Sequence, residues 1–115
     1  MTITIYHNPR CSKSKQALSY LEKKGITPEI ILYLETPPTA DEMRMILLKL
    51  DLPPRDIMRK NEKLYKELEL GDPSLSEEAL ITAMCAHPSL IERPIVINGD
   101  QAKLARPADL IEEIL

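Results

Sequence analysis

Cys11 is the residue whose type and position point most directly to chemistry. The alternating segment Thr2–Tyr6 predicts a strand, His7-Asn8-Pro9 predicts a loop, and a helix is expected to open at Cys11-Ser12. The free N–H groups and positive dipole end of a helix N-terminus stabilise a thiolate. Such a position, with cations nearby, lowers a thiol pKa from about 8.5 to somewhere between about 3.5 and 7.5. The sequence therefore predicts a reactive thiolate at Cys11.

The neighbours of Cys11 limit what it can do alone. Position +3 is Ser14, so a Cys-x-x-Cys dithiol is absent, and position +6 is Ala17, so a Cys-x5-Arg phosphate loop is absent as well. The second cysteine, Cys85, lies in a predicted helix and is interpreted as a small buried hydrophobe. Redox chemistry at Cys11 would therefore require an external thiol. Three basic residues surround the junction: Arg10, Lys13 and Lys15.

The elements on either side of Cys11 predict a βαβ unit. A small and apolar stripe at helical spacing follows the cysteine: Ser14, Ala17, Leu18 and Leu21. Gly25 is placed to end that helix. The continuous apolar run Ile30–Leu34 predicts a second strand, buried on both faces. A right-handed crossover is expected between the two strands.

The middle of the chain predicts a helical insertion. Thr39 and Glu42 form a capping box before a periodic apolar stretch, which predicts a helix. Residues 56–70 are weakly helical in pattern. Ser74 and Glu77 predict a second capping box and another helix.

The last quarter of the chain predicts a hairpin and a final helix. Ile95-Val96-Ile97 is typical of a strand, Asn98-Gly99 is a strong hairpin signal, and the return strand is expected over residues 101–105. Arg106-Pro107 predicts the start of a helix with proline at its first position. Its expected buried side is Leu110, Ile111 and Ile114.

Bulk properties exclude several classes of protein. The chain has 115 residues, a net charge of -3 and only two cysteines, so it is neither a disulfide framework nor a basic nucleic-acid binder. The N-terminus lacks the pattern of a signal peptide, and no apolar run reaches the ~18 residues of a membrane span. The two Cys and two His lack metal-ligand spacing. We expect a cytoplasmic monomer with reduced thiols, no metal, and no nucleic-acid or membrane partner.

Six segments, in order along essentially the whole chain, resemble the glutaredoxin-dependent, ArsC-like arsenate reductase family. They are Tyr6-His7-Asn8-Pro9-Arg10-Cys11, Ile31–Pro38, Met58–Asn61, His87-Pro88, Ile91–Val96 and Arg106-Pro107. The resemblance implies an α/β, thioredoxin-like fold. Its mixed four-stranded sheet would carry the helical insertion between βαβ and ββα halves, in a single domain of residues 1–115. It also implies that Pro94 is the cis-proline beside the active cysteine.

The same resemblance implies a reaction and its residues. Cys11 would attack arsenate to form a covalent thiol–arsenate adduct, glutathione and glutaredoxin would supply the electrons, and arsenite would leave. No bound cofactor is implied. His7 would help to lower the cysteine pKa. The oxyanion would be held by three arginines: Arg59, Arg93 and Arg106.

Arginine suits that role on physical grounds, since its planar, permanently charged fork matches a tetrahedral oxyanion. Arg55 and Lys60 are close competitors of Arg59. Asn8, Ser14 and Pro94 are expected to support the site, although Asn8 could equally serve only to turn the loop.

Two features indicate a shorter subgroup of the family: Ser12-Lys13-Ser14 after the cysteine, and the end of the last predicted helix at Leu115. Two alternative functions stay open. One is a thiol reductase acting on another oxyanion or on a glutathione mixed disulfide. The other is a non-catalytic redox regulator that binds RNA polymerase, although Ser14 removes the second cysteine that such switches commonly carry.

Overall fold

The first strand, β1 (Ile3–Tyr6), lies inside a four-stranded sheet. In a computed structural model that describes residues 2–115, the strand order is β2-β1-β3-β4, with β2 at Glu29–Ile31, β3 at Ile95–Asn98 and β4 at Gln101–Leu104. β1 pairs parallel with β2 and antiparallel with β3, which pairs antiparallel with β4. This is the mixed sheet that the sequence predicts.

The register of the sheet aligns the strand ends. Tyr6 lies opposite Ile31 of β2 and opposite Ile95 of β3, and Ile95 lies opposite Leu104 of β4. The residues that follow β1 and β4, and those that precede β3, therefore meet at one end of the sheet. Cys11, Arg93 and Arg106 therefore lie at this end of the sheet.

The second strand differs from its prediction. The apolar run over residues 30–34 was expected to be a strand buried on both faces, and this is wrong. β2 is a three-residue edge strand, and Ile30, Leu32 and Leu34 are 47%, 37% and 44% exposed. Tyr33 alone in the run turns fully inward, at 2% exposure. The apolar run indicated a strand, but its residues 32–34 lie beyond the end of β2, and hydrophobicity carries no information on strand order.

The first helix, α1 (Ser12–Lys23), begins directly after Cys11, as predicted. Gly25 ends it with a φ of 76°. The N–H of Gly25 donates to the carbonyl of Glu22 at 3.0 Å, and the N–H of Ile26 donates to that of Leu21 at 3.0 Å. These are the two hydrogen bonds of a Schellman motif. The buried face of α1 is Ser14, Ala17 and Leu21.

The end of the chain closes the core on the same sheet. Residues Ala108–Ile114 form a 3-10 helix rather than the expected α-helix, and Pro107 precedes it instead of occupying its first position. Ile111 and Ile114 are buried, whereas Leu110 is only partly so, because side chains three apart eclipse in a 3-10 helix. The core cluster is Ile3, Ile5, Ala17, Leu21, Val96, Ala105, Ile111 and Ile114.

The hairpin between β3 and β4 is present, with its turn at Gly99-Asp100. Gly99 has a φ of 62°, and Asn98 pairs with Gln101 across the turn. A glycine with positive φ at the first turn position is the requirement of a type II′ turn.

Contacts divide the chain into two compact units: a sheet unit of Met1–Thr36 and Arg93–Leu115, and a helical unit of Pro37–Glu92. The single domain expected from the sequence stays a prediction. Across residues 2–115, no helix has the length and apolar character that a bilayer crossing requires.

The helical unit contains α2 (Ala40–Leu50), α3 (Lys63–Glu67) and α4 (Glu77–Ala86). The capping box of Thr39 and Glu42 is confirmed. The one predicted at Ser74 is wrong, because the Ser74 hydroxyl donates to Asp72. Ser76 caps α4 instead, accepting a hydrogen bond of 3.1 Å from the N–H of Ala79.

Candidate active site

A tight turn delivers Cys11 to the start of α1. The N–H of Cys11 donates to the carbonyl of Asn8 at 3.0 Å, with Pro9 and Arg10 in the central positions. The Asn8 side-chain oxygen accepts the N–H of Arg10 at 3.0 Å. Asparagine first and proline second are the preferred residues of a type I turn. Asn8 therefore shapes the loop that positions the cysteine.

Groups around Cys11 favour its thiolate. Burial acts to raise the pKa of the partly exposed Cys11 thiol, but the N–H of Ser14, the Arg93 guanidinium and the N–H of Lys13 outweigh it. The pKa of Cys11 therefore lies below its ordinary value.

His7 and Ser14 form a buried pair beside the cysteine. A hydrogen bond of 2.6 Å joins His7 Nδ1 and Ser14 Oγ, and the N–H of Asn8 donates to the same hydroxyl at 3.0 Å. Burial, assisted by the positive charge of Lys15, lowers the pKa of His7. The imidazole is therefore neutral near pH 7 and holds Ser14.

This neutrality changes the part that His7 can play. The residue was expected to help lower the cysteine pKa, yet the charged group that does so is Arg93. A neutral ring adds no positive charge beside the thiolate. Any effect of His7 on Cys11 must therefore pass through Ser14, and that indirect role stays a prediction.

Arg93 offers unused hydrogen-bond donors next to the thiolate. Its Nε and Nη1 atoms are buried and find no hydrogen-bond partner among residues 2–115. Buried guanidinium donors are nearly always hydrogen-bonded. Two unpaired donors at this position are therefore available to a ligand that accepts hydrogen bonds. The Arg93–Pro94 peptide bond is cis, as the resemblance implies for Pro94. The carbonyl of Pro94 accepts the N–H of Ala105 at 3.0 Å, which ties this segment to the end of β4.

The other two arginines have different surroundings. Arg106 follows β4, so it lies at the same end of the sheet as Cys11 and Arg93, and its side chain is exposed. Arg59 belongs to the helical unit, where its guanidinium pairs with Glu62 and its N–H donates to the carbonyl of Leu90 at 2.7 Å. A role for Arg59 in binding an oxyanion with Cys11 stays a prediction.

One feature of the site escaped the sequence reasoning. The bond between His7 and Ser14 was not foreseen, although its signal was present: Ser14 shares a stripe with Ala17 and Leu21, and a buried hydroxyl needs a partner. Arg93, by contrast, was placed at the site by the family resemblance, and its guanidinium does contact Cys11. No local pattern encodes this contact between distant positions. Within the described part of the chain, no group of three or more His, Cys, Asp or Glu residues could hold a metal ion.

Comparisons with known proteins agree along the whole chain. It is 51% identical to the Escherichia coli K12 protein named uncharacterized protein YfgD, over 98% of this chain and 96% of that protein. It is 48% identical to the arsenate reductase of Haemophilus influenzae over the full length of both. The solved structure of arsenate reductase from Vibrio cholerae superposes with a TM-score of 0.98 at 51% identity, covering 100% of this chain and 98% of that one.

The fold is the thioredoxin-like one that the resemblance implied. The ArsC family model matches residues 6–114, which include Cys11, Arg93 and Arg106. The chain therefore belongs to the ArsC family.

Proposed function

We propose that this protein is an arsenate reductase in which Cys11 attacks the arsenic atom of arsenate. One observation carries the proposal: the Cys11 thiolate lies beside Arg93, a guanidinium with two buried donors that have no partner among residues 2–115. A tetrahedral oxyanion fits such donors, because it accepts several charge-assisted hydrogen bonds at once. Relatives named arsenate reductases support this choice of oxyanion.

The reaction balances with two external thiols. The Cys11 sulfur bonds to arsenic and one hydroxyl leaves as water. A first external thiol displaces a second hydroxyl as water, which gives arsenic two sulfur ligands. A second thiol then attacks the sulfur of the first; a disulfide leaves, a proton passes to oxygen, and arsenic(V) gains two electrons. Water finally displaces arsenite from Cys11 and restores the thiol.

The chain offers no second thiol of its own for these steps. Ser14 occupies the position of a resolving cysteine and is committed to His7. Cys85 belongs to the helical unit, and burial raises the pKa of its thiol. Glutathione and glutaredoxin therefore supply the two thiols in this proposal. Both work where thiols stay reduced, which supports the cytoplasm as the place of action in this proposal.

In this proposal the three arginines make different contributions to binding the oxyanion. Arg93 contacts both the nucleophile and the substrate, so it assembles the reacting atoms. Arg106 lies at the same end of the sheet and supplies a second guanidinium. Arg59 joins them on the strength of the family resemblance, and would have to exchange Glu62 for the substrate.

Arsenite formation tests the proposal directly. Purified protein with arsenate, glutathione, glutaredoxin and an NADPH-coupled recycling system should produce arsenite. Cys11→Ser should produce none, whereas Cys85→Ser, the matched control, should retain the wild-type rate. Absence of turnover by the wild type, under conditions in which an established arsenate reductase is active, would overturn the proposal. Full activity of Cys11→Ser would overturn it equally.

A further inference from the structure

A cavity of about 300 Å³ lies in the sheet unit, beside the turn that delivers Cys11. This volume is at the lower end of the range for small-ligand sites, ~300–1,000 Å³. Its lining comes from two segments, the turn itself and the segment after β2. The lining residues are His7, Asn8, Pro9, Arg10, Leu32, Leu34 and Glu35.

The wall after β2 is apolar and open to solvent. Leu32 and Leu34, which follow the edge strand β2, both expose more than a third of their surface. Single exposed leucines are ordinary, but here they cluster around a concave surface. Such a surface suits the methylene groups and peptide planes of a small organic ligand.

Opposite charges line the same cavity. The Arg10 guanidinium and the Glu35 carboxylate both belong to its lining, and neither forms a salt bridge within residues 2–115. They complement a ligand that carries a carboxylate and an ammonium group on one short, partly apolar body. A larger groove of about 470 Å³ in the helical unit lacks this character, because its arginine, Arg44, is already paired with Glu78.

We propose that this cavity binds the external reducing thiol as a small zwitterionic peptide, with glutathione as the probe. A carboxylate of the peptide lies against Arg10, its ammonium group against Glu35, and its thiol toward the turn that ends at Cys11. The inference rests on the proposed function, since it names the site of the first external thiol in that reaction. It assigns Arg10, Leu34 and Glu35 to recognition of the reductant rather than of the oxyanion.

Thiol exchange on Cys11 tests the cavity without arsenate. In a Cys85→Ser background, Cys11 is converted to its mixed disulfide with 5-thio-2-nitrobenzoate. A thiolate then attacks this disulfide, one S–S bond forms as another breaks, and the yellow aromatic thiolate leaves. Its release is timed with glutathione and with 2-mercaptoethanol, which has no charged groups. A cavity for the peptide predicts that variants change the first rate and not the second.

Glu35→Gln distinguishes a bound ammonium group from simple electrostatic steering. Glutathione is a net anion, so steering alone would make removal of a nearby carboxylate speed its reaction. Pairing of Glu35 with the ammonium group predicts the opposite, a decrease of about threefold to tenfold in the glutathione rate alone. An unchanged or faster glutathione rate in Glu35→Gln would overturn the proposal.

Two further variants guard against an uninformative result. Arg10→Gln and the uncharged Leu34→Asn should each slow glutathione by about threefold or more while 2-mercaptoethanol stays within about twofold. Matched controls are Lys13→Gln, an exposed cation near Cys11 outside the cavity lining, and Leu48→Asn, an exposed leucine of the helical unit. Equal effects of Arg10→Gln and Lys13→Gln would contradict the assignment. Because the assay contains no arsenate, the thiol-exchange rates can be interpreted even if the protein does not reduce arsenate.

Discussion

Ser14 Oγ lies 2.6 Å from His7 Nδ1, and both side chains are buried. The backbone N–H of the same serine favours the Cys11 thiolate. Ser14 thus contacts Cys11 through its backbone N–H and His7 through its hydroxyl group. A neutral imidazole can therefore influence the cysteine by fixing the helix turn that the thiolate needs.

Ser14→Ala should raise the pKa of Cys11 and reduce stability. The variant leaves His7 Nδ1 and the Asn8 N–H without their hydroxyl partner, which costs about 1–3 kcal/mol of unfolding free energy. The loosened turn should also hold its N–H less firmly against the sulfur. Iodoacetamide labelling of Cys11 as a function of pH measures the first effect and urea unfolding the second. Ser12→Ala, at an exposed site in the same turn, should change neither.

Substitutions of Arg93 should separate the effect of its positive charge on the pKa of Cys11 from the effect of its planar set of N–H donors on arsenate binding. Arg93→Ala removes a cation from the thiolate, so the pKa of Cys11 should rise and the KM for arsenate should increase at least about tenfold. Arg93→Lys retains the charge and should keep most of the low pKa, yet still bind arsenate poorly. Arg44→Ala, which breaks only exposed ion pairs in the helical unit, serves as the control. Equal arsenate KM values in Arg93→Ala and Arg44→Ala would remove Arg93 from the site.

The titration of His7 should appear in the pH dependence of stability. Burial and Lys15 lower its pKa in the folded protein, whereas the unfolded chain takes up the proton near its ordinary pKa of about 6.5. As the pH falls below that value, the unfolded state binds more protons and the folded state is progressively disfavoured.

His7→Asn removes this titration and retains a group that can hydrogen-bond to Ser14. The wild type should lose more unfolding free energy than the variant when the pH falls from about 7.5 to about 5.5. Both proteins carry Cys11→Ser, because His7 influences that thiol through Ser14. The remaining ionisable groups are common to both proteins, so they cancel in the difference. Urea unfolding curves that shift in parallel would show that His7 is not held neutral.

Gly25→Ala should destabilise the protein by about 1 kcal/mol through the backbone alone. Gly25 has a φ of 76°, and an added Cβ would meet no atom within 4 Å, so no steric clash contributes. Thermal or urea unfolding measures the loss, and the reactivity of Cys11 should stay unchanged. Gly71→Ala is the control: its Cβ would make an ordinary contact of 3.6 Å with Tyr65, and a smaller change is expected.

Local sequence signals predicted the elements that carry the nucleophile. The start of α1 at Cys11, its end at Gly25 and the capping box at Thr39 were all found where the pattern placed them, because each depends on residues a few positions apart. Ser74 failed as a cap because Asp72, two residues earlier, captured its hydroxyl. Ser74 and Ser76 both lie close to Glu77, so the sequence pattern alone does not show which serine caps α4. The hydrogen bond between Ser74 and Asp72 decides it.

Features that depend on contacts between distant parts of the chain were harder to predict from the sequence. The exposure of Ile30 follows from the edge position of β2, which strand order determines and hydrophobicity does not. The place of Arg93 beside Cys11 follows from the pairing of β1 with β3, and only the family resemblance pointed to it. The same resemblance named His7, but the burial that keeps this ring neutral is a property of the folded packing.

The pairing of β1 with β3 also has a consequence for the newly made chain. Cys11 leaves the ribosome early, whereas Arg93 and the strand that places it are synthesised near the end. Until then the thiol lacks one of the groups that lower its pKa, and only the N–H groups of the first helix turn favour its thiolate. The sulfur therefore acquires its full thiolate stabilisation only when the final strands have joined the sheet.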